Sequence, residues 1–199
     1  QKIHKQITLA TKFYYGKFFG QNPKNYLLGG IKNSLFGNNS ENKGSDDPLK
    51  IKSGYDNSNI LFSEFYNLRG YNFNKFHGNE ILALTTELRI PIIKYLFNRQ
   101  LSSSFLENLQ LVSFFDIGSS WTGQSPFNTE NNINIWVINE PGSVFEAEIV
   151  NSKNPWLSSF GWGLRSLIMD YYIKIDFSKP IEDYKVGKPK LHFSIGYSF

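Results

Sequence analysis

The side chains able to do chemistry are scattered through this chain. Its three histidines, His4, His77 and His192, lie far apart and share no metal-ligand spacing, so each reads as structural or surface. There is no cysteine, which excludes disulfides, thiolate clusters and Cys-containing zinc sites. Gly29-Gly30 lacks the following Lys-Ser/Thr and the helix that a phosphate-binding loop needs. No nucleophile elbow or zinc-protease motif is present, and no local pattern pairs two carboxylates. Enzymatic function, a cofactor and a metal centre therefore have no support. The chain carries 21 Lys and Arg against 17 Asp and Glu, a net +4, but the basic residues are dispersed, which argues against a nucleic-acid partner.

One short segment stands apart. Leu68-Arg69-Gly70-Tyr71 closes a long Asn-, Gly- and Ser-rich stretch just before an alternating run. It reads as an ordinary turn with a solvated Arg, or as an Arg held inside a barrel and compensated by an acidic group. Asp116 and Glu87 are the candidates for that partner, since each falls on the polar face of a nearby strand. A guanidinium fork on a carboxylate would anchor the loop with both energy and geometry.

The elements that must position these groups follow from period-two alternation. In 6–17, Ile7, Leu9, Thr11, Phe13 and Tyr15 oppose Thr8, Ala10, Lys12 and Tyr14. In 81–90, Leu82, Leu84, Thr86, Leu88 and Ile90 oppose Ile81, Ala83, Thr85, Glu87 and Arg89. In 109–118, Leu111, Ser113, Phe115 and Ile117 oppose Gln110, Val112, Phe114 and Asp116. Three more runs end the chain: Phe160, Trp162 and Leu164 against Gly161, Gly163 and Arg165; Tyr171, Ile173, Ile175 and Phe177 against Tyr172, Lys174, Asp176 and Ser178; and Leu191, Phe193, Ile195, Tyr197 and Phe199 against His192, Ser194, Gly196 and Ser198. Six strands are predicted, with no helix. Residues 20–60 and 122–156 read as long loops, the second with a short strand at 133–138; residues 98–105 read as a turn.

Aromatic residues make up 17% of the chain while hydrophobic residues reach only 40%, a balance that suits an all-β protein. No apolar run approaches the roughly 20 residues of a membrane helix. One face of each predicted strand is nearly all apolar, whereas the other carries Lys12, Glu87, Arg89, Asp116, Arg165, Lys174 and Asp176. A soluble sandwich and a membrane barrel both fit this alternation. Long loops alternating with short turns favour the barrel. The chain begins Gln1-Lys2-Ile3, without an apolar leader or an initiating Met, and reads as cut from something longer.

Taken in order, the motifs resemble the C-terminal barrel of the outer-membrane insertase superfamily, the BamA/TamA family. Leu68-Arg69-Gly70-Tyr71 is similar to the signature of its in-folding extracellular loop, and Phe114-Phe115-Asp116-Ile117-Gly118-Ser119-Ser120-Trp121 to a strand motif of aromatic, Asp, Gly and Trp. Gly161-Trp162-Gly163-Leu164-Arg165 and Ile175-Asp176-Phe177-Ser178-Lys179-Pro180 resemble the next two strands. Phe193, Ile195, Gly196, Tyr197 and the terminal Phe199 resemble the C-terminal barrel signal and gate strand.

The resemblance implies an antiparallel transmembrane β-barrel in the bacterial outer membrane, of which residues 1–199 supply the last six of sixteen strands: 6–18, 79–91, 108–119, 158–168, 171–179 and 190–199. Six such strands are too few to close that barrel. Residues 20–78 become the in-folding loop, its Arg69 meeting Asp116, with Glu87, Arg89, Arg165, Lys174 and Asp176 facing the lumen. The forty-residue separation of Gly29-Gly30 from Arg69 resembles versions from Bacteroidota. Expected partners are outer-membrane lipid, preceding barrel strands, periplasmic or fused domains, client outer-membrane proteins and accessory lipoproteins. Protein assembly in the membrane is the implied function, and an anchor or scaffold for a fused domain or larger complex is the alternative.

Overall fold

The computed structural model describes residues 7–31, 63–93, 103–128, 135–138, 147–150, 154–169 and 171–196. In chain order the elements are β1 (Thr8–Lys17), β2 (Tyr26–Leu28), β3 (Glu64–Tyr66), β4 (Phe76–Gly78), β5 (Glu80–Pro91), α1 (Ser104–Glu107), β6 (Gln110–Trp121), β7 (Ile135–Ile138), β8 (Ala147–Val150), β9 (Leu157–Ile168), β10 (Tyr171–Glu182), β11 (Lys185–Val186) and β12 (Lys190–Ile195). Strands β1, β5, β6, β9 and β10 form one antiparallel sheet in that order, and β11 and β12 both pair with β10.

The six long runs predicted by alternation are the long strands of this sheet. Three features differ from the expectation. Within the long loop, β2 pairs in parallel with β3 and antiparallel with β4, a small sheet too short to leave a periodic signal. In the second loop the expected short strand is β7, and the unexpected strand β8 pairs with it antiparallel. The predicted turn before β6 runs into a short helix, α1.

Turn chemistry sets the register of the last hairpin. Asp183 and Tyr184 both take positive φ, 53° and 61°, the type I′ geometry that matches strand twist. Pairing then shifts by one residue between Ile181↔Val186 and Ser178↔Lys190, so Gly187, Lys188 and Pro189 form a bulge. The Gly187 amide donates to the Pro180 carbonyl at 2.8 Å.

The sheet has two unlike faces. Phe13, Tyr15, Trp162, Tyr171 and Leu191 project from the open face and are more than half exposed. The opposite face is covered at one end by the β2–β4 sheet, where Tyr26, Leu28, Tyr66, Leu68, Tyr71, Ile81, Ala83 and Leu157 make the buried core. Full burial of Leu28 or Leu68 contributes about 1.5–3 kcal/mol each. That small core holds the Leu68–Tyr71 turn against the long strands.

Candidate functional site

Strand register builds the site as transverse rows on the covered face. One row runs Lys12, Thr85, Asp116, Ser159 and Pro180; the next runs Ala10, Glu87, Phe114, Gly161, Ser178 and Lys190. A third runs Thr8, Arg89, Val112, Gly163, Asp176 and His192, and a fourth brings Gln110, Arg165, Lys174 and Ser194 together. Alternation along each strand thus becomes a patch of charge across four or more strands. Small residues punctuate it. A Cβ on Gly161 would run into the Phe114 ring and the Phe177 carbonyl, and one on Gly163 into the Asp176 carboxylate.

One side chain from the loop above meets this patch. Arg69 places Nε and Nη2 at 2.6 Å from the two carboxylate oxygens of Asp116, a fork-on-fork pair. Its Nη1 donates to Glu87 at 2.8 Å, and its guanidinium lies 3.6 Å over the Phe114 ring. Burial works against the charge on Arg69, but Asp116, joined by Asp176 and Glu87, outweighs it and holds the guanidinium above its ordinary range.

Glu87 is the hub of the cluster. It also accepts both terminal nitrogens of Arg165, at 2.6 and 2.7 Å, and Nε and Nη2 of Arg89, at 3.0 and 2.7 Å. Asp176 sits beyond hydrogen-bond reach of both buried arginines, at 3.8 Å from Arg69 and 3.9 Å from Arg165. Lys174 is buried on the same face, and a polar cavity of about 260 Å³ lies beside these groups, lined also by Lys12, Tyr66, Thr85 and Ser194. The structure therefore brings together Arg69, Asp116, Glu87, Arg89, Arg165, Asp176 and Lys174.

The rest of the turn reaches other strands. Leu68 and Gly30 exchange two backbone hydrogen bonds of 3.0 Å. Gly70 has φ +86°, and a Cβ there would press on Pro180 of β10. The Tyr71 hydroxyl lies 2.7 Å from the carbonyl oxygens of Ser158 and Ile181, a registered pair across β9 and β10. Burial pushes its phenol up, so it remains a donor. The Gly70 amide donates to His192 Nε2 at 3.0 Å. Residues 69–71 thus touch β5, β6, β9, β10 and β12, five of the six long strands.

Among the terminal residues, Phe193 and Ile195 lie on the open-face side of β12, and Gly196, at φ +111°, donates to the Tyr172 carbonyl at 2.8 Å. Tyr197 and Phe199 lie outside the described residues. His192 and Phe114 were not singled out for roles by the sequence, and the alternating pattern marked only their faces. Among the described residues no group of His, Asp and Glu has the arrangement of a metal site.

An Omp85 superfamily domain matches residues 8–199. The chain belongs to the Omp85 superfamily. That superfamily is generally associated with outer-membrane protein biogenesis in bacteria, and its members are generally non-catalytic scaffolds of membrane insertion. No curated protein and no solved structure matches the chain.

In this Omp85 domain the glycines of β9 carry a testable consequence. Gly163→Ala puts a methyl group against Asp176 and the Ile175 carbonyl. The expected result is a loss of about 1–3 kcal/mol, the usual range for overpacking, read as a lower unfolding midpoint of the full-length protein in detergent. An unchanged midpoint would show that β9 and β10 shift apart at little cost.

Proposed function

We propose that this Omp85 domain is the C-terminal part of a sixteen-stranded BamA/TamA-like barrel of the outer membrane, of a Bacteroidota-like kind, that assembles other outer-membrane proteins. On this reading the open, aromatic face meets lipid and the charged face lines the lumen. Residues 20–78 are the in-folding extracellular loop and 122–156 a second extracellular loop. Preceding strands and periplasmic or fused domains belong to the same protein, with client barrels and accessory lipoproteins as partners.

The observation that supports this reading best is the seating of Arg69 on Asp116 and Glu87. A water-filled pore needs no plug fixed by a buried ion network, whereas a wall that must open along one seam needs the rest of its strands tied together. Residues 69–71 tie five of them. The seam then falls at β12, whose second edge pairs with no other strand among the described residues and offers backbone donors and acceptors to a client strand.

The test is a disulfide that locks β12 to the first strand of the full-length barrel. Assembly of client barrels is expected to stop when the lock is oxidised and to resume on reduction. Full assembly with the seam locked overturns the insertase reading and favours an anchor or scaffold.

A further inference from the structure

Strand β12 has a weak place in the sheet. It pairs with β10 through six residues, and among the described residues nothing pairs with its other edge. A short strand with one neighbour is the first part of a sheet to fray. Yet its covered face is not idle. His192 is 1% exposed and its Nε2 accepts the Gly70 amide at 3.0 Å. Two residues earlier on the same face, Lys190 Nζ donates to Asn72 Oδ1 at 2.5 Å. Gly70 is itself backed by Pro180 of β10, so the turn is wedged between β10 and β12.

The donor fixes the state of the imidazole. A backbone N–H can give a hydrogen bond only to a bare ring nitrogen, so the His192 proton resides on Nδ1, which has no hydrogen-bond partner among the described residues. Arg69 on the turn, Lys190 on the same strand and Asp176, its register partner on β10, are the charged groups around it.

We propose that His192 and Lys190 clasp β12 to the in-folded turn, with His192 as a positioning residue in its neutral Nδ1–H form, so that β12 keeps its register on β10 although no other described strand pairs with it. The clasp is a property of this domain alone. Its use, a firm edge for an incoming strand, rests on the assembly function proposed above.

Hydrogen–deuterium exchange on the full-length protein in detergent tests it. His192→Leu removes the acceptor and is expected to speed exchange of the Gly70 amide and of the β12 amides about tenfold, the loss of one buried hydrogen bond. His192→Gln retains an acceptor oxygen and is expected to exchange much as the parent does. Parent-like exchange in the Leu variant, or equally fast exchange in both variants, overturns the clasp. Where the Leu variant does not fold, ¹⁵N spectra of histidine-labelled parent protein, assigned by the signal lost in His192→Gln, decide instead: an Nε2–H tautomer or an imidazolium at neutral pH overturns it. Client assembly is scored separately. Exchange that follows the acceptor in a protein that assembles no client barrels counts against the assembly function and leaves the clasp standing.

Discussion

Replacing Arg69 by Ala is expected to cost the folded domain about 3–5 kcal/mol, the range for stripping one partner from a buried ion pair. The reason lies in what remains. Asp116 is 1% exposed, and Arg69 supplies the hydrogen bonds to both of its carboxylate oxygens. Without the guanidinium that charge stays buried and unpaired. Glu87 suffers less, because Arg165 and Arg89 still hold it. The Phe114 ring also loses the cation stacked on it.

Arg69→Lys is expected to recover only part of the loss. A lysine ammonium brings the charge but cannot fork onto two carboxylate oxygens while a third nitrogen reaches Glu87. The double variant Arg69→Ala/Asp116→Asn removes the orphaned charge together with its partner, so it is expected to be more stable than Arg69→Ala alone. Unfolding midpoints of the full-length barrel, read from gel mobility after heating, measure all three. If Arg69→Ala melts with the parent, the turn is not anchored by its charge.

Much of this site was legible in the alternation because period two assigns faces without any tertiary knowledge. Glu87, Asp116, Arg165, Lys174 and Asp176 fall on one parity of their strands, and the sheet buries all of them on one face. Arg69 was legible only as a choice between a solvated turn and a buried fork, since nothing local states whether a loop folds back. What decides it is a set of distant contacts: the Gly30–Leu68 bridge, the Tyr26–Leu68 core and the Phe114 ring, seated against Gly161, under the guanidinium.

Register was not legible at all. A hairpin slid by two residues keeps every face and changes every row. Placing Asp176 opposite Gly163 needs the tight connection after Met169, at φ +49°, and placing it opposite His192 needs the turn at Asp183-Tyr184 and the bulge at 187–189 together. For the same reason His192 read as an isolated histidine, and β2, β3 and β4, of three residues each, were too short to show a period. The pairing expected around Arg69 was a two-residue one, and register makes it a network with a different centre.

That centre makes the second prediction. Glu87→Gln is expected to destabilise the domain more than Asp116→Asn, although the two changes are chemically alike. Asp116 answers to Arg69, while Glu87 answers to Arg69, Arg89 and Arg165 through hydrogen bonds of 2.6–3.0 Å. A Gln amide loses the charge and turns an NH2 group toward guanidinium donors, so one side of the hub meets donor against donor. Arg165, 2% exposed, then retains Asp176 at 3.9 Å as its ion-pair partner, too far for a hydrogen bond.

A loss of about 3–5 kcal/mol or more follows from leaving buried guanidinium groups uncompensated. Two further variants separate charge from packing. Glu87→Asp retains the charge but pulls it back by one methylene, so it is expected to lose contact with one or more arginines and fall between parent and Gln. Glu87→Gln/Arg165→Gln removes one cation together with the anion, and is expected to regain stability over Glu87→Gln alone, because the two substitutions share one network and their effects do not add. Equal midpoints for Glu87→Gln and Asp116→Asn would mean that the pair seen from the sequence is the whole anchor and that the hub adds nothing. A midpoint for the double variant below that of Glu87→Gln would mean that Arg165 stabilises the sheet by packing its stem rather than by meeting Glu87.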